Sequence, residues 1–503
     1  MPTFEYQTRL PFSREDVFAW YSRPGALTRL HPPFAGRVLS EPSRGLETGS
    51  ESVLGINLPG LLGTAVTAAA DMVSTATSLP LRSWMRWQAR HTDFEPGRGF
   101  SDEMVSGPAS QWRHEHRFDD DGAGTIIKET VEYQLPLTDR LPRAVASAVE
   151  SRMEAELRRI FDFRQRQTTQ DLAFHQSHGM LASQEGENPG QSVRVAAVSG
   201  SGGLIGRQVC ALLSGAGVQV RPMVRRTPDS SQAAGGEILW DPEAGTLDPA
   251  DLEEVDVVIH LAGHPLAGRF TTAHKEKVRS SRVAGTELIA KALADAETRD
   301  PRGRALINGS AVGFYGATPE QRSHSMELLT EDLPAGTDFL AEVCRAWEQA
   351  TESAHEAGVR VVMIRTGIVQ SPAGGVLQQM LPLFAAGLGG PLGDDQWQSW
   401  ISIDDIASLF VHTALSPSVE GPVNGVGPEP ASAQAYARVL ADVLRRPAAL
   451  PVPSLGPKLL LGEQGARELA LADQRASAEK ALGTGFGFRH PSLEAALRHV
   501  LGR

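Results

Sequence analysis

The stretch VRVAAVSGSGGLIG, residues 193–206, decides the fold of the larger part of this chain. Its first half is an apolar run typical of a strand buried on both faces, and its second half is glycine-rich and leads into a helical pattern. Gly200, Gly203 and Gly206 have GxxGxxG spacing. Because glycine lets the backbone approach a pyrophosphate at the N-terminus of a helix, the stretch predicts a strand, a phosphate-binding loop and a helix.

Apolar segments alternate with helical patterns downstream of this stretch. The segments are VQVRPMVRR (218–226), VDVVIHLAG (255–263), RALINGSAVGFYG (304–316) and VRVVMIRTGIV (359–369). Such alternation is typical of a parallel, doubly wound sheet, so we predict a Rossmann-type α/β domain over residues 193–440. Residues 441–503 have helical patterns with prolines, and we predict a small C-terminal helical subdomain there.

Residues 1–175 follow a different pattern, in which strand-like segments precede one long helix over roughly residues 140–173. This order predicts an α+β domain, and the polar segment 176–192 is predicted to be a linker. The weakly charged stretch 56–81 is interrupted by Pro59 and several polar residues, which speaks against a membrane-spanning helix. We expect this stretch to be an insertion loop that covers an apolar cavity.

Composition excludes several classes of protein. The net charge of −12 over 503 residues offers no basic surface for nucleic acid. Cys210 and Cys344 form no CxxC pair, which favours a reducing compartment. The start, MPTFEYQTRLPFSRED, has no basic region followed by an apolar core. We therefore predict a cytoplasmic protein with no nucleic-acid partner and no membrane insertion, and the oligomeric state stays open.

The end of the second predicted strand indicates which dinucleotide binds. An NAD enzyme places Asp or Glu there for the ribose 2′-hydroxyl, whereas this chain has Arg225 and Arg226 and no acid before Asp229. Guanidinium groups suit a 2′-phosphate, so we predict NADP as the cofactor, with Arg207 as a third positive group. The alternative is two solvated arginines on a loop.

Several segments together resemble a known family. SGSGGLIG, VIHLAG, GSAVGFYG and IRTGIVQSPAGG resemble the extended and atypical short-chain dehydrogenase/reductases, and HLAGHPLAGRF, VRSSRVAGTELI, DFLAEVCRAWE and GPVNGVGP are similar to its epimerase-family, sugar-nucleotide-epimerase-like branch. The resemblance implies a nicotinamide cofactor and a small-molecule substrate that carries a carbonyl or a sugar nucleotide. It also places Leu204, Ile205, Leu261, Ala262 and Gly263 in the cofactor site.

A second resemblance concerns residues 1–175. Their strand and helix order, together with WQARHTDFEPGRGFSDEMVSGP and WRHEHRF, resembles the helix-grip fold of polyketide cyclase and START-like proteins. The resemblance implies an N-terminal domain that binds an apolar ligand in a cavity.

The dehydrogenase family uses a tyrosine as acid/base, a lysine four residues later, and a serine that polarises the substrate carbonyl. The resemblance makes Ser310 the counterpart of that serine. Counting back from Glu348, the places of the lysine and the tyrosine hold Cys344 and Leu340, and no YxxxK occurs in the 503 residues. Arg365, Trp347 and Glu348 are predicted to tie this helix to the sheet.

Other groups are candidates for the missing acid. Tyr315 is the one tyrosine in the nucleotide-binding domain near the expected pocket, and Cys344 could serve as a thiol acid. Both also have structural interpretations, since a Cys on an apolar helix face is usually a small core residue. Asp404 and Asp405 are predicted to begin a helix rather than to act in catalysis.

The histidines do not indicate a metal site. His114 and His116 alternate on a predicted strand and share one face, and His260 and His264 flank LAG. Neither pair has a third ligand clustered with it in sequence, so we predict no metal.

Two functions remain open from the sequence. The first is an NADP(H)-dependent oxidoreductase or epimerase in which Ser310 polarises a carbonyl and the proton comes from Tyr315, another group or water. The second is a non-catalytic NADP(H) sensor whose nucleotide affinity is coupled to the apolar ligand of the N-terminal domain.

Overall fold

A computed structural model of the chain describes residues 1–77, 83–184, 193–225, 236–318, 328–393, 396–448 and 455–503. None of the helices in these ranges is long and apolar enough to cross a membrane.

The described residues of the N-terminal part form an antiparallel sheet and four helices. The strands are β1 Thr3–Leu10, β2 Gly36–Ser40, β3 Ser43–Leu46, β4 Glu51–Ile56, β5 Met85–Glu95, β6 Gly99–Ser106, β7 Gln111–Asp120 and β8 Thr125–Gln134. The helices are α1 Arg14–Ser22, α2 Ala26–Leu30, α3 Gly60–Thr77 and α4 Arg143–Ser177. Seven of the strands form one sheet in the order β1-β8-β7-β6-β5-β4-β2.

The long helix α4 packs against this sheet. Its Leu157 and Phe161 lie in one buried cluster with Phe4, Val131 and Tyr133 of β1 and β8. This arrangement results from strict alternation along the strands, because every second side chain faces the helix. The predicted order of strands followed by one long helix is therefore observed.

The stretch 56–81 differs from the expected insertion loop. Residues Gly60–Thr77 form helix α3, and Asp71 on it accepts hydrogen bonds from Arg37 (2.5 Å) and from Gln378 (3.1 Å) of the second half of the chain. Ala and Leu favour helix over loop, which accounts for α3. The start of the stretch, residues 56–59, does line an apolar cavity of the N-terminal part, as expected.

The second half is a doubly wound α/β unit. Its strands are β9 Val195–Ser199, β10 Gln219–Val224, β11 Ile238–Asp241, β12 Thr246–Leu247, β13 Val257–His260, β14 Ala305–Ala311, β15 Arg360–Thr366, β16 Ile368–Gln370, β17 Trp397–Gln398, β18 Trp400–Ser402, β19 Gly421–Gly425 and β20 Ala431–Ser432. Its helices are α5 Leu204–Gly215, α6 Thr272–Arg299, α7 Phe339–Gln349, α8 Glu352–Glu356, α9 Gly375–Ala385, α10 Ile403–Leu415, α11 Ala433–Leu444, α12 Leu455–Gly465, α13 Glu479–Gly483 and α14 Leu493–Leu501.

The main sheet of this unit has the order β12-β11-β10-β9-β13-β14-β15-β19. All its pairings are parallel except that of β11 with β12. The Rossmann-type parallel sheet predicted from the alternating pattern is thus confirmed. The chain order reverses beside β9, and this is the point at which open α/β sheets bind ligands, at the carboxyl ends of the strands.

The C-terminal residues pack into the same core as the sheet. Phe486, Leu493 and Val500 belong to one buried cluster with Val198 of β9. The domain boundary predicted at residue 440 falls inside α11, so it divides a helix.

Buried charges join the two halves of the chain. Arg29 of α2 binds both carboxylate oxygens of Asp171 on α4 at 2.8 Å and reaches Asp404 of α10 at 2.8 Å. Arg489 also binds Asp171, and Arg29 donates at 2.6 Å to Gln208 on α5. Because these groups are almost fully buried, removal of one partner leaves an uncompensated charge, which typically costs about 3–5 kcal/mol.

Candidate functional site

The glycine loop after β9 is tightly packed. Gly200 has φ +69°, a left-handed conformation that favours glycine, and a Cβ there would lie 2.8 Å from the backbone nitrogen of Ala262. A Cβ on Gly206 would lie 2.2 Å from the carbonyl oxygen of Gly200. Side chains at these two positions are therefore excluded, as the GxxGxxG spacing predicts, and α5 begins directly on the loop, behind Gly203.

Ser199 connects the glycine loop to the end of β13. Its Oγ lies 2.5 Å from His260 Nδ1 and accepts from the backbone nitrogens of Leu261 (3.2 Å) and Ala262 (3.3 Å). Burial lowers the pKa of His260 to about 3, so the imidazole is neutral. The structure thus brings Leu261, Ala262 and Gly263 next to the glycine loop, as expected for one cofactor site.

The geometry fits the pyrophosphate of a dinucleotide. Among the described residues, no side chain caps the N-terminus of α5, where Leu204, Ile205 and Gly206 form the first turn. Apart from Gly202 itself and its two chain neighbours, no described residue has an atom within 4 Å of a Cβ built on Gly202. Uncapped backbone N–H groups beside open space form an anion site at a helix N-terminus.

The basic groups predicted to recognise the 2′-phosphate are only partly described. Arg225 is exposed just after β10, and Arg226 lies outside the described residues. Arg207 donates to the carbonyl oxygens of Gly202 (2.9 Å) and Val38 (3.2 Å), so it links the glycine loop to the N-terminal part.

Helix α7 occupies the place of the usual tyrosine and lysine. Asp338 caps it by accepting from the backbone nitrogen of Ala341 at 3.0 Å. Leu340 and Cys344 are buried on its inner face. Burial, with a smaller contribution from Glu348, raises the pKa of the Cys344 thiol to about 12, so it stays protonated at neutral pH. This environment is that of a core thiol rather than a reactive one.

Ser310 and Tyr315 are bound in one closed network. Ser310 donates to Glu348 Oε1 at 2.7 Å, and Arg365 binds both oxygens of Glu348 at 2.9 and 3.0 Å. Tyr315 donates to Asn424 Oδ1 at 2.7 Å and accepts from Arg365 at 3.1 Å. Burial raises the Tyr315 pKa to about 12. The predicted role of Arg365 and Glu348 in tying α7 to the sheet is confirmed, and the network favours structural roles for both hydroxyls.

Arg282 of α6 lies in this region and was missed from the sequence, although it occurs in the segment VRSSRVAGTELI. Its Nη1 donates to the carbonyl oxygen of His264 at 3.0 Å, and its Cζ lies 5.0 Å from the ring centroid of Trp347. A Cβ on Gly263 would lie 3.4 Å from the same Cζ. The guanidinium therefore lies between the segment HLAG (residues 260–263) and α7. It is close to Cys344, and its positive charge opposes the rise of the thiol pKa that burial causes.

The two acids at the start of α10 are structural, as predicted. Asp404 takes part in the buried ion cluster between the halves of the chain. Asp405 accepts from Ser402 at 2.7 Å and from the backbone nitrogen of Arg489 at 2.6 Å.

A separate cavity lies in the N-terminal part. Its volume is about 370 Å³, and its walls are mainly apolar, with Leu30, Trp87, Trp112, Leu157 and Phe161 among the lining residues. The size and lining are typical of a site for a small apolar ligand.

Ionisable side chains of β6 and β7 form one wall of this cavity. Asp102, His114 and His116 line it, and each offers one atom within 4.8 Å of the others. Glu129 is buried beside the two imidazoles, with its Oε1 3.5 Å from His114 Nε2 and 3.2 Å from His116 Nδ1. The sequence analysis missed this cluster, because its carboxylates lie on β6 and β8, far along the chain from the histidines on β7.

Comparison with known proteins identifies the second half of the chain. Residues 196–427 match the sequence profile of the NAD dependent epimerase/dehydratase family, and residues 452–500 match a domain of unknown function (DUF1731). Epimerase family protein Mb2239 of Mycobacterium bovis is 40% identical over 311 residues, which are 61% of this chain and 98% of that protein.

The chain belongs to the NAD-dependent epimerase/dehydratase family.

Human epimerase family protein SDR39U1 is 33% identical over 309 residues, 60% of this chain and 98% of that protein. A crystal structure of human SDR39U1 (isoform 2) with NADPH covers 61% of this chain and 99% of its own, at 28% identity and a TM-score of 0.51. A nucleoside-diphosphate sugar epimerase from Corynebacterium glutamicum covers 100% of this chain and 90% of its own, at 32% identity and a TM-score of 0.72. Both parts of this epimerase-family chain therefore recur together in one solved structure.

Proposed function

We propose that this epimerase-family protein binds NADP(H) and acts as an oxidoreductase or epimerase on a small carbonyl or sugar-nucleotide-like substrate. The observation that carries the proposal is the open, uncapped start of α5 behind Gly200 and Gly206, which suits a dinucleotide pyrophosphate. Two relatives support it, human SDR39U1 with its bound NADPH and the nucleoside-diphosphate sugar epimerase of Corynebacterium glutamicum. When bound, the nicotinamide ring supplies hydride transfer.

The preference for NADP over NAD rests on Arg225. Its position just after β10 is the one where NAD enzymes carry an acid for the ribose hydroxyl. An exposed guanidinium there favours a phosphate.

We place the proton chemistry outside the usual pair. Leu340 cannot donate a proton, Cys344 is a buried neutral thiol, and Ser310 and Tyr315 already donate their protons to Glu348 and Asn424. Arg282 lies close to Cys344, which holds the place of the missing lysine, and we propose that Arg282 binds the nicotinamide half of the cofactor. Water or a substrate group then supplies the proton.

The second candidate is a sensor without turnover, and the interdomain contacts favour it. Arg29, which lies beside the N-terminal cavity helix α4, also holds Gln208 on the cofactor helix α5. A ligand that shifts α2 or α4 would therefore act on the dinucleotide site, and the coupling would be reciprocal.

For the N-terminal part we propose a cytoplasmic helix-grip, START-like ligand-binding domain. The seven-stranded sheet packed on α4 supports the fold, and the apolar cavity of about 370 Å³ supports an apolar ligand. The domain would either deliver its ligand for reduction or report on it.

Titration of the full chain with NADPH and NADH, followed by nucleotide fluorescence, tests the proposal. We expect NADPH to bind more tightly than NADH. Gly206→Ala should abolish binding, because its Cβ meets the Gly200 carbonyl, whereas Gly215→Ala at the other end of α5 meets side-chain atoms no closer than 3.2 Å and serves as the control. No binding of either nucleotide would overturn the proposal.

Turnover separates the two candidate functions. An oxidoreductase is expected to oxidise NADPH with a ketone or an aldehyde, and an epimerase to convert a nucleoside-diphosphate sugar into its epimer without net oxidation of NADPH. Tight NADPH binding without either reaction, together with a change of affinity upon addition of extracted lipids, would support the sensor.

A further inference from the structure

We propose that Asp102, His114 and His116 bind a divalent transition-metal ion, such as Zn²⁺ or Fe²⁺, in the N-terminal cavity. The site is separate from the dinucleotide site and does not depend on it. Its ligands would be His114 Nδ1, His116 Nε2 and Asp102 Oδ2.

Strand register brings these three side chains together. His114 and His116 lie two residues apart on β7 and so project to the same face. Asp102 of β6 pairs with His114 across the sheet. Its Oδ2 lies 3.8 Å from His114 Nδ1 and 4.0 Å from His116 Nε2.

These distances suit capture of an ion after a small movement. Zn²⁺ binds imidazole nitrogen and carboxylate oxygen at about 2.0–2.2 Å, so bound ligand atoms stand roughly 3–3.5 Å apart. Asp102 Oδ2 would therefore approach the two nitrogens by up to about 1 Å. No hydrogen bond among the described residues engages the two cavity-facing nitrogens of His114 and His116.

Glu129 orients the two imidazoles from the opposite side. Its Oε1 faces the other nitrogen of each ring, His114 Nε2 at 3.5 Å and His116 Nδ1 at 3.2 Å. Protons on those nitrogens leave lone pairs on the nitrogens that face Asp102 and the cavity. Metal-binding histidines usually donate their second ring nitrogen to a carboxylate, and Glu129 Oε1, which has no other hydrogen-bond partner among the described residues, is placed to accept from both rings. Arg164, whose Nη1 lies 3.9 Å from Glu129, offsets part of the buried charge.

Three protein ligands leave coordination positions open to the cavity. Two imidazoles and one carboxylate on one side of an ion are typical of Zn²⁺ and non-haem Fe²⁺ sites that also bind an exogenous ligand. The apolar walls would hold the body of that ligand, and an oxygen of its polar end would complete the coordination.

The other cluster of this composition differs in one respect. Asp404, His490 and His499 also offer atoms within 4.8 Å of one another. However, the Arg29 guanidinium already lies 2.8 Å from Asp404 and supplies the positive charge there. The described residues place no Lys or Arg ion pair on Asp102.

Metal titration of the full chain tests the proposal. The protein is stripped with a chelator and titrated with Co²⁺ alone, whose visible ligand-field spectrum reports a protein site, and the Co²⁺ is then displaced with Zn²⁺. We expect one Co²⁺ per chain and a metal-dependent rise in the unfolding temperature. Asp102→Asn and His116→Gln should abolish both effects, and Glu129→Gln should weaken Co²⁺ binding by about 10–100-fold.

Matched variants locate the ion. His355→Gln, at an exposed position on α8, and His490→Gln, in the other cluster, should bind Co²⁺ like the unaltered chain. Circular dichroism without metal shows whether each variant folds. The unaltered chain needs no such control, so its failure to bind Co²⁺ or Zn²⁺ would overturn the proposal. Loss of the spectrum in His490→Gln but not in His116→Gln would also overturn it.

Discussion

Arg365 donates a hydrogen bond of 3.1 Å to the hydroxyl of Tyr315, which in turn donates to Asn424. The same guanidinium donates to Glu348, which accepts the hydrogen bond of the Ser310 hydroxyl. Arg365 thus contacts the Tyr315 hydroxyl directly and the Ser310 hydroxyl through Glu348, and these are the two hydroxyls that the sequence offers for proton transfer. Each of these two hydroxyl groups already donates a hydrogen bond to a protein side chain, so neither is assigned as the proton donor of the proposed reaction.

Tyr315→Phe should therefore lower stability and leave cofactor binding unchanged. The variant leaves Asn424 Oδ1 without its hydrogen-bond donor, while Arg365 Nη1 keeps the Glu331 carbonyl at 3.1 Å, and we expect the free energy of unfolding to fall by about 1–3 kcal/mol. Urea unfolding and an NADPH titration measure the two quantities. Tyr436→Phe, which removes one buried hydrogen bond to Gln370, is the control for the loss of a tyrosine hydroxyl. A turnover rate about 100-fold lower with unchanged stability would instead identify Tyr315 as the proton donor.

Arg225→Asp should change which dinucleotide binds. The substitution replaces a cation with the acid that suits a ribose hydroxyl, so we expect NADPH affinity to fall by about 10–100-fold and NADH affinity to change by less than about 3-fold. Isothermal titration calorimetry with both nucleotides measures the ratio. Arg194→Asp is the matched control, because Arg194 directly precedes β9 and so lies at the amino ends of the strands, away from the cofactor site. Equal losses for both nucleotides would show that Arg225 does not recognise the phosphate.

Arg282→Met should weaken NADPH binding while it preserves the packing on Trp347. Loss of one charge-assisted hydrogen bond corresponds to roughly a 10-fold lower affinity. Nucleotide fluorescence provides the measurement, and Arg279→Met, which alters an exposed residue one turn earlier on α6, is the control. Unchanged affinity together with lower stability would mean that Arg282 only packs against α7.

Acid should destabilise the contact between the two halves of the chain. Burial lowers the pKa of His175, whose Nε2 lies 3.1 Å from the Leu212 carbonyl, from 6.5 to about 4. Between these values the unfolded chain binds a proton that the folded chain does not, so stability falls as pH decreases from about 6.5 to 4. The slope is about 1.4 kcal/mol per pH unit for one such histidine.

Urea unfolding at several pH values measures this slope. His175→Gln should reduce this slope by the contribution of one proton, about 1.4 kcal/mol per pH unit. An identical slope in His175→Gln and the unaltered chain would contradict the assignment.

Local pattern predicted several elements correctly because their causes are local. The apolar run and glycine spacing around Gly200 specify the strand, loop and helix, and the alternating segments specify the parallel sheet. Residues 60–77 form helix α3 instead of the expected loop, because the sequence does not show that α9 packs against them, whereas residues 56–59 line the cavity as expected. The predicted boundary at residue 440 divides α11, since the C-terminal helices share the core of the sheet.

The cluster in the N-terminal cavity was likewise only partly visible in the sequence. His114 and His116 were recognised as a pair on one face of a strand, because a period of two is visible in the sequence. Asp102 and Glu129 join them through the pairing register of β6, β7 and β8, and register depends on turn geometry and on which face is buried.

The amino-acid sequence by itself determined the Rossmann-type sheet, the glycine loop, the absence of a YxxxK pair and the tie from Arg365 and Glu348. Each of these depends on residue type and spacing along one segment. Only the tertiary structure decided that Tyr315 and Ser310 are engaged by buried partners, that Arg282 lies beside Gly263, and that a carboxylate meets His114 and His116 in a cavity. These relationships join residues from separate strands and helices, and packing of the whole chain alone sets the distances between them.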